Sequence, residues 1–288
     1  EIKVTVGGTE YEKTASLQTT DSQVISVAEL KGKEVAEGVE YLVEGVVVTV
    51  VSTGSNVEYI IKDVDTDAYI GVRGLTSATT GSITDGTHVP VYEAGDQIRI
   101  PVTLAKIAPS PDAATDSSTI KSNDNKIYAD YAGGDLYESA VVETGITVAF
   151  DKEQAKTITS QAELRDFLSA QNRAGNAYTV VKFSAPVYVI KYNDNFWRLM
   201  FEGVTNYTDQ KIDGKNTSPV FANFNQMYAT GKNLGEELFN NADFAPVTAW
   251  GDPTPVAKDV YVLFIGGNSW YHHFVILECE PSAELTLD

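Results

Sequence analysis

Two of the three histidines stand side by side in "WYHHF", residues 270–274, with Cys279 further along the same apolar run. Imidazole and thiolate are zinc ligands, and a zinc site needs several of them converging at about 2.0–2.3 Å. The stretch also reads as a strand, in which successive side chains point to opposite faces. His272 then shares a face with Phe274 and Ile276, while His273 shares one with Val275, Leu277 and Cys279. That alternation works against a shared ion, and His88 lies apart in a polar loop. The residues favour strand histidines beside a hairpin tip, and no metal or other cofactor is expected.

"DVDTD" sets Asp63, Asp65 and Asp67 at alternate positions, as a calcium loop begins. A helix–loop–helix calcium site also wants Gly at its sixth position and Glu at its twelfth. Those places hold Ala68 and Gly74, and both flanks read as strands. An acidic hairpin turn is the better description, with an irregular cation site as the alternative. For nucleophilic chemistry, no strand–turn–helix G-x-S-x-G occurs, and Cys279 sits in an apolar strand, where a thiol packs rather than reacts. Carboxylates are too numerous for any two to stand out as an acid–base pair, and no glycine-rich phosphate loop is present. No catalytic residues, and no enzyme, are expected.

The aromatic residues are the better lead. Trp250 in "TAWGDPTP" and Trp270–Tyr271 beside "GGNS" fall at loops or a hairpin tip, with His272 next in line. Flat rings beside Asn, Asp and amide groups suit the C–H faces and hydroxyls of sugars, and equally suit a protein hot spot. The competing reading is that these rings cover barrel ends or fill an interface. Trp197 in "NFWRLMF" reads as strand packing. The candidate ligand-binding set is therefore Trp250, Trp270, Tyr271 and His272.

Charge narrows the partners. The 288 residues carry 21 Lys and Arg against 40 Asp and Glu, a net charge of −19. Residues 1–150 hold −13 of it and residues 151–288 hold −6, so no basic half hides behind the average. A surface that tracks phosphates needs clustered Lys and Arg, and this field repels a polyanion, which argues against nucleic acid. No run approaches the ~18 apolar residues of a membrane span, so a membrane would be met only through an N-terminal anchor. Glu1 is read as the start of a trimmed or processed chain. The single cysteine rules out an intrachain disulfide, which fits a reducing compartment and many exported bacterial proteins alike.

The elements that would position these residues are mostly strands. Tyr41–Val51 is a β-branched run with Gly45 inside it, the mark of a bulge or bend. Val57–Lys62 and Ala68–Arg73 follow across turn residues. Gly95–Ile107 alternates Ile98, Ile100, Val102 and Leu104, with Pro101 suggesting an edge or a bulge. Ala108–Asn125 has the composition of an exposed loop, and Asp135–Phe150 reads as a strand pair or one bent strand. "EIKVTVGG" is a short N-terminal strand.

A second copy of the plan follows. "SVAEL" (Ser26–Leu30) and "SQAEL" (Ser160–Leu164) both have capping-box spacing, and each precedes a Gly, a Tyr and a long strand, the second being Ala177–Tyr192. The turn "NDN" leads that strand into Phe196–Gly203, and Asp259–Pro281 closes the chain as a hairpin. The reading is an internal duplication. It comprises an extension over 1–23, one unit over 24–150, and a second over 151–288 with a partly helical insertion at 204–258.

A helix, a long bent strand, two further strands and a "GD-x-I-x-I" strand outline an OB-fold, in which five strands close a small barrel. The pattern "VAEL…YLVEGVVVTVVSTGSNVEYIIKDVDTDAYIGV…AGDQIRI" resembles the OB-like domain of uncharacterised exported proteins and lipoproteins of Bacteroidetes. The likeness covers 24–107 well and 158–280 loosely, since the second copy lacks a clear "GD-x-I-x-I". It implies a mainly β chain of two tandem OB-like five-stranded barrels, each preceded by a short capped helix, located outside the cell or on the outer-membrane surface. The expected function is an exported, non-catalytic module that binds a glycan or other extracellular ligand through loop aromatics. The alternative is a structural or assembly protein acting through protein contacts.

Overall fold

The computed structural model describes residues 2–6, 9–13, 23–52, 57–75, 92–106, 126–133, 140–169, 171–184, 187–193, 196–201, 212, 216–220, 227–228, 254–256, 258–267 and 271–281. In chain order the strands are β1 (Ile2–Val6), β2 (Thr9–Lys13), β3 (Val24–Ser26), β4 (Glu40–Ser52), β5 (Val57–Lys62), β6 (Tyr69–Arg73), β7 (Gln97–Lys106), β8 (Ile127–Tyr131) and β9 (Val141–Glu143). The second half supplies β10 (Lys156–Ile158), β11 (Thr179–Phe183), β12 (Val187–Asn193), β13 (Phe196–Phe201), β14 (Asn216–Val220), β15 (Met227–Tyr228), β16 (Thr254–Val256), β17 (Lys258–Gly267) and β18 (Tyr271–Pro281). The two α-helices among the described residues are α1 (Val27–Lys31) and α2 (Gln161–Phe167). The N-terminal strand is joined by β2, which the sequence did not suggest, as a separate antiparallel pair.

The first half is a closed five-stranded barrel. β4 pairs with β5, β5 with β6, β6 with β8 in parallel, β8 with β7, and β7 returns to β4. The alternation of β7 puts Ile98, Ile100, Val102 and Leu104 inside, buried with Val43, Tyr59, Ile61, Ile70, Val72 and Ala129. A ring with this connectivity is OB-like. Closure removes the free strand edges that an open sheet would leave unpaired.

Three expectations are corrected here. The fifth barrel strand is β8, immediately after the polar segment, where no strand is expected from the sequence. Of the described residues 140–150 in the stretch read as a strand pair or one bent strand, only β9 is a strand, and residues 144–150 form none. Pro101 lies on no edge strand, since β7 is paired on both sides. Its carbonyl accepts from Ala132 N at 2.9 Å, just past the end of β8. The amide and carbonyl of one strand residue point to the same side, so the missing N–H falls where the β8 ladder has already stopped. The irregularity in β4 lies between Val47 and Thr49, not at Gly45. Gly45 serves a close approach instead: a Cβ there would meet Lys62 O and Val27 Cγ2, each at 2.9 Å.

Both halves use one local device. β3 lies parallel to β4 with α1 between them in sequence, and β10 lies parallel to β11 with α2 between them. Ser26 accepts from Glu29 N at 3.1 Å while Glu29 accepts from Ser26 N at 2.9 Å, a complete capping box. Ser160 accepts from Glu163 N at 3.2 Å, but the Glu163 carboxylate turns back one residue further, to Thr159 N at 2.7 Å.

The second half departs from its expected outline. The long strand read over Ala177–Tyr192 is two strands in different sheets, β11 and β12. Pro186, between them in sequence, has no amide to give a ladder. The described strands form an open sheet in the order β10–β11–β17–β18–β14, and a smaller one in the order β13–β12–β16. No second closed ring is formed among the described residues. The insertion contributes strands as well: β14 runs parallel to β18, and β15 returns to pair with the end of β4.

In the five-stranded sheet of the second half, β17 and residues 272–276 of β18 are buried on both faces. Val180, Leu263, Ile265 and Val275 join the barrel's cluster. Val181, Val262, Phe264, Phe274 and Ile276 form a second cluster with Leu164 and Phe167 of α2. Phe264 packs on Phe167 and Phe274 at centroid distances of 5.4 and 5.1 Å. The molecule is thus layered: barrel, sheet, then helix.

Candidate functional site

The histidine pair divides as the strand alternation requires. His272 lies on the helix-side face of β18, fully buried, and its Nε2 is 3.2 Å from Ile212 O. A carbonyl only accepts, so Nε2 carries the proton and donates. His273 is buried on the opposite face, with Val275 and the barrel cluster. Tyr271 opens β18 opposite Asn216. Trp250, Trp270 and His88 lie outside the described residues, and Trp197 is placed in β13. Among the described residues no group of three or more His, Cys, Asp or Glu side chains is arranged to hold a metal ion.

The "DVDTD" turn has a structural use for its first aspartate. Asp63 accepts from Ala28 N at 2.8 Å, Asp65 N at 3.0 Å and Thr66 N at 3.0 Å. It therefore closes its own turn and ties that turn to the first residues of α1. Burial pushes its carboxyl up, but these amides outweigh burial and hold it below the usual range. Asp67 pairs with Lys62 at 3.1 Å. The arrangement is a fastening of hairpin to helix.

The concentration of buried charge lies elsewhere, where the second half covers the outer face of β5 and β6. Register sets Glu58 beside Arg73 and Ile60 beside Gly71 on that face, while Tyr59 and Val72 point into the barrel. Lys126, just before β8, donates to Glu58 Oε1 and to Ile265 O of β17, both at 2.7 Å. Arg73 Nε donates to Glu58 Oε2 at 3.1 Å. Tyr178, just before β11, donates its hydroxyl to Glu58 Oε1 at 2.5 Å. Lys126 Nζ also lies 4.5 Å from the centre of the Tyr178 ring, and Arg73 stands 4.0 Å over that of Tyr128.

Backbone geometry is committed to this meeting. Tyr178 has φ +62°, the one positive value outside glycine among the described residues. A bulky side chain in that region is strained by about 1–3 kcal/mol and persists only where its surroundings enforce it. Its amide donates to Phe264 O at 2.6 Å, which fixes the residue to β17 as its phenol reaches the barrel. Gly71 provides the space, because a Cβ there would collide with the Glu58 carboxylate and the Tyr178 hydroxyl.

One anion is shared by two cations, and the titration follows from that. Burial pushes the Glu58 carboxyl up, but the charges of Lys126 and Arg73 and two hydrogen bonds hold it below the usual range. Lys126 is lowered by burial and by Arg73, with Glu58 offsetting only part of it. The Tyr178 phenol is raised well above its ordinary value by burial and by the neighbouring carboxylate. His273 is lowered to about 3, by burial first and then by Lys126, against a smaller opposite pull from Glu58. The Lys126–Glu58 and Arg73–Glu58 contacts at 2.7 and 3.1 Å are those of one carboxylate shared by an ammonium and a guanidinium, and burial keeps the Tyr178 phenol and the His273 imidazole neutral at neutral pH. The side chains of the cluster are bonded chiefly to one another, with Glu58 accepting from Arg73, Lys126 and Tyr178.

None of Glu58, Arg73, Lys126 or Tyr178 stood out in the sequence as a site residue. The available signal was Glu58 itself, a carboxylate inside "VEYII", where the chain is otherwise burying every position.

No family model matches the chain, and no curated protein matches it. A crystal structure from Leishmania major Friedlin, provisionally assigned as an aspartyl-tRNA synthetase, is similar at 13% identity with a TM-score of 0.28. It covers 66% of this chain, and the chain spans 41% of that protein's length.

Proposed function

We propose that this chain is an exported, non-catalytic binding module that recognises a glycan or other extracellular ligand through Trp250, Trp270 and Tyr271. The observation that carries the reading is the setting of Tyr271. The two residues after it, His272 and His273, are buried on opposite faces of β18, so the strand is gripped from both sides beside the turn of the β17–β18 hairpin. Aromatic side chains offered from a fixed backbone bind at low ordering cost. His272, hydrogen-bonded in the core, has a supporting part in this scheme rather than a contact with ligand. OB-like barrels commonly present strands 2 and 3 to ligands, and here that face is covered by the second half, which favours the loops. The acidic charge favours a neutral or cationic partner over a nucleic acid.

The repeated strand–helix–strand device supports the finer reading of the chain as two tandem OB-like units, the second opened by its insertion. The resemblance to exported Bacteroidetes proteins supports a place at the cell surface. The test is calorimetry of the full chain against a glycan panel, repeated with Trp250→Ala and Trp270→Ala. A loss of roughly tenfold or more with unchanged circular dichroism is expected. No binding across the panel, or binding indifferent to both substitutions, overturns the proposal.

A second reading, a structural protein of the cell surface, is favoured by the buried seam, which makes the two halves a stiff spacer. Cross-linking on intact cells would then capture a specific protein partner, and that capture would survive both tryptophan substitutions.

A further inference from the structure

We propose that the seam between barrel and sheet is an acid-operated latch, in which a proton taken up by His273 releases the second half from the outer face of β5 and β6. This goes beyond the binding role and does not depend on it. His273 is 1% exposed and points from β18 into the seam. The charged groups there are Glu58 on β5, Arg73 on β6 and Lys126 before β8, with Tyr178 before β11; Tyr128 and Asp130 of β8 lie around Arg73. Its strand neighbours, Ser218 and Gly266, bring no charge.

At neutral pH the seam sets two cations against Glu58. A protonated His273 adds a third in the same closed space, and among the described residues the second carboxylate there, Asp130, is engaged on the Arg73 and Tyr128 side of the cluster while the charges acting on His273 are those of Lys126 and Glu58. Opening relieves this, because water solvates the imidazolium and separates the cations. The sign follows from linkage. The closed form binds a proton at His273 only near pH 3, whereas an exposed imidazole binds one near 6.5, so the opened form holds more protons between those values. Closure therefore weakens as pH falls through that window, by up to about tenfold per unit. Glu58 and Lys126 act in the same direction in their own ranges, since both are lowered in the closed form.

The test follows the full chain from about pH 7 to about pH 4.5 by small-angle scattering, far-ultraviolet circular dichroism and the NMR shifts of the imidazole carbons. The expected result is an increase in radius with strand content retained, coincident with protonation of one histidine. His273→Gln should move that expansion to lower pH by at least one unit, and His272→Gln should leave it in place. If the His273 variant does not fold, the wild-type titration still decides. Protonation of His273 without expansion, expansion without its protonation, or expansion accompanied by loss of strand signal would each overturn the latch.

Discussion

Glu58 and Lys126, 68 residues apart, meet at 2.7 Å with neither side chain more than 3% exposed. Lys126 carries the contact on to the Ile265 carbonyl, so one ammonium bridges the barrel and the sheet that covers it. Breaking a buried pair from one side costs about 3–5 kcal/mol, because the survivor is left uncompensated. The two sides are not equivalent here. Glu58→Gln strands both Lys126 and Arg73, whereas Lys126→Met leaves Glu58 its Arg73 partner at 3.1 Å. Urea denaturation should show Glu58→Gln as the more destabilising by at least ~1 kcal/mol. The double variant should cost less than the two singles together.

Gly71 offers a steric test of the same meeting. A methyl group there collides with Glu58 and Tyr178, and neither can retreat from a buried hydrogen bond. Gly71→Ala is expected to cost about 2–3 kcal/mol or more. At Gly175 the nearest atom to a new Cβ is Asn172 O at 3.7 Å, so Gly175→Ala should change stability by less than ~1 kcal/mol. Melting temperatures of the two variants, measured side by side, check the contrast.

Asp63 should behave as a fastener. Asp63→Asn puts an amide N–H where a backbone amide now donates, and is expected to cost about 1–3 kcal/mol. Hydrogen exchange at Ala28, Asp65 and Thr66 should quicken. The carboxyl is held below its usual range in the fold, so its stabilisation is present above the unfolded value of about 3.9 and is lost as pH falls through the folded one. Millimolar calcium should leave the melting temperature of wild type unchanged, whereas an increase of several degrees would restore the cation reading.

Tyr178 tests the strained approach to the seam. Tyr178→Phe keeps the ring and removes the hydroxyl that donates to Glu58. A hydrogen bond to a charged group contributes about 1.5–3 kcal/mol, so a loss of that order is expected, larger than for an exposed Tyr→Phe control. Denaturation at neutral pH reads it directly. A loss below about 0.5 kcal/mol would mean that water serves Glu58 equally well.

Local patterns made much of the first half legible. β4, β5, β6 and β7 follow from β-branched alternation and turn residues, and Ile98, Ile100, Val102 and Leu104 are buried as their spacing requires. The helices were announced by Ser and Glu three apart. β8 was not legible, because "IYADY" alternates over few residues and follows a long polar segment. The break between β11 and β12 falls in an apolar run of high strand propensity, which masks the signal of Pro186. The seam could not be found by periodicity. Lys126 and Tyr178 lie 68 and 120 residues from Glu58, and Tyr178 reaches it only when a second sheet packs on the barrel. Sequence patterns report what a strand does to its own neighbours, and this cluster is made by an encounter of faces.

Barrel and sheet share one core and one buried charge cluster and therefore fold together. Differential scanning calorimetry of the full chain at neutral pH tests it most directly. A single transition is expected whose calorimetric and van't Hoff enthalpies agree, and which moves as a whole to lower temperature in Glu58→Gln. Two resolved transitions, only one of them shifted by that substitution, would contradict it.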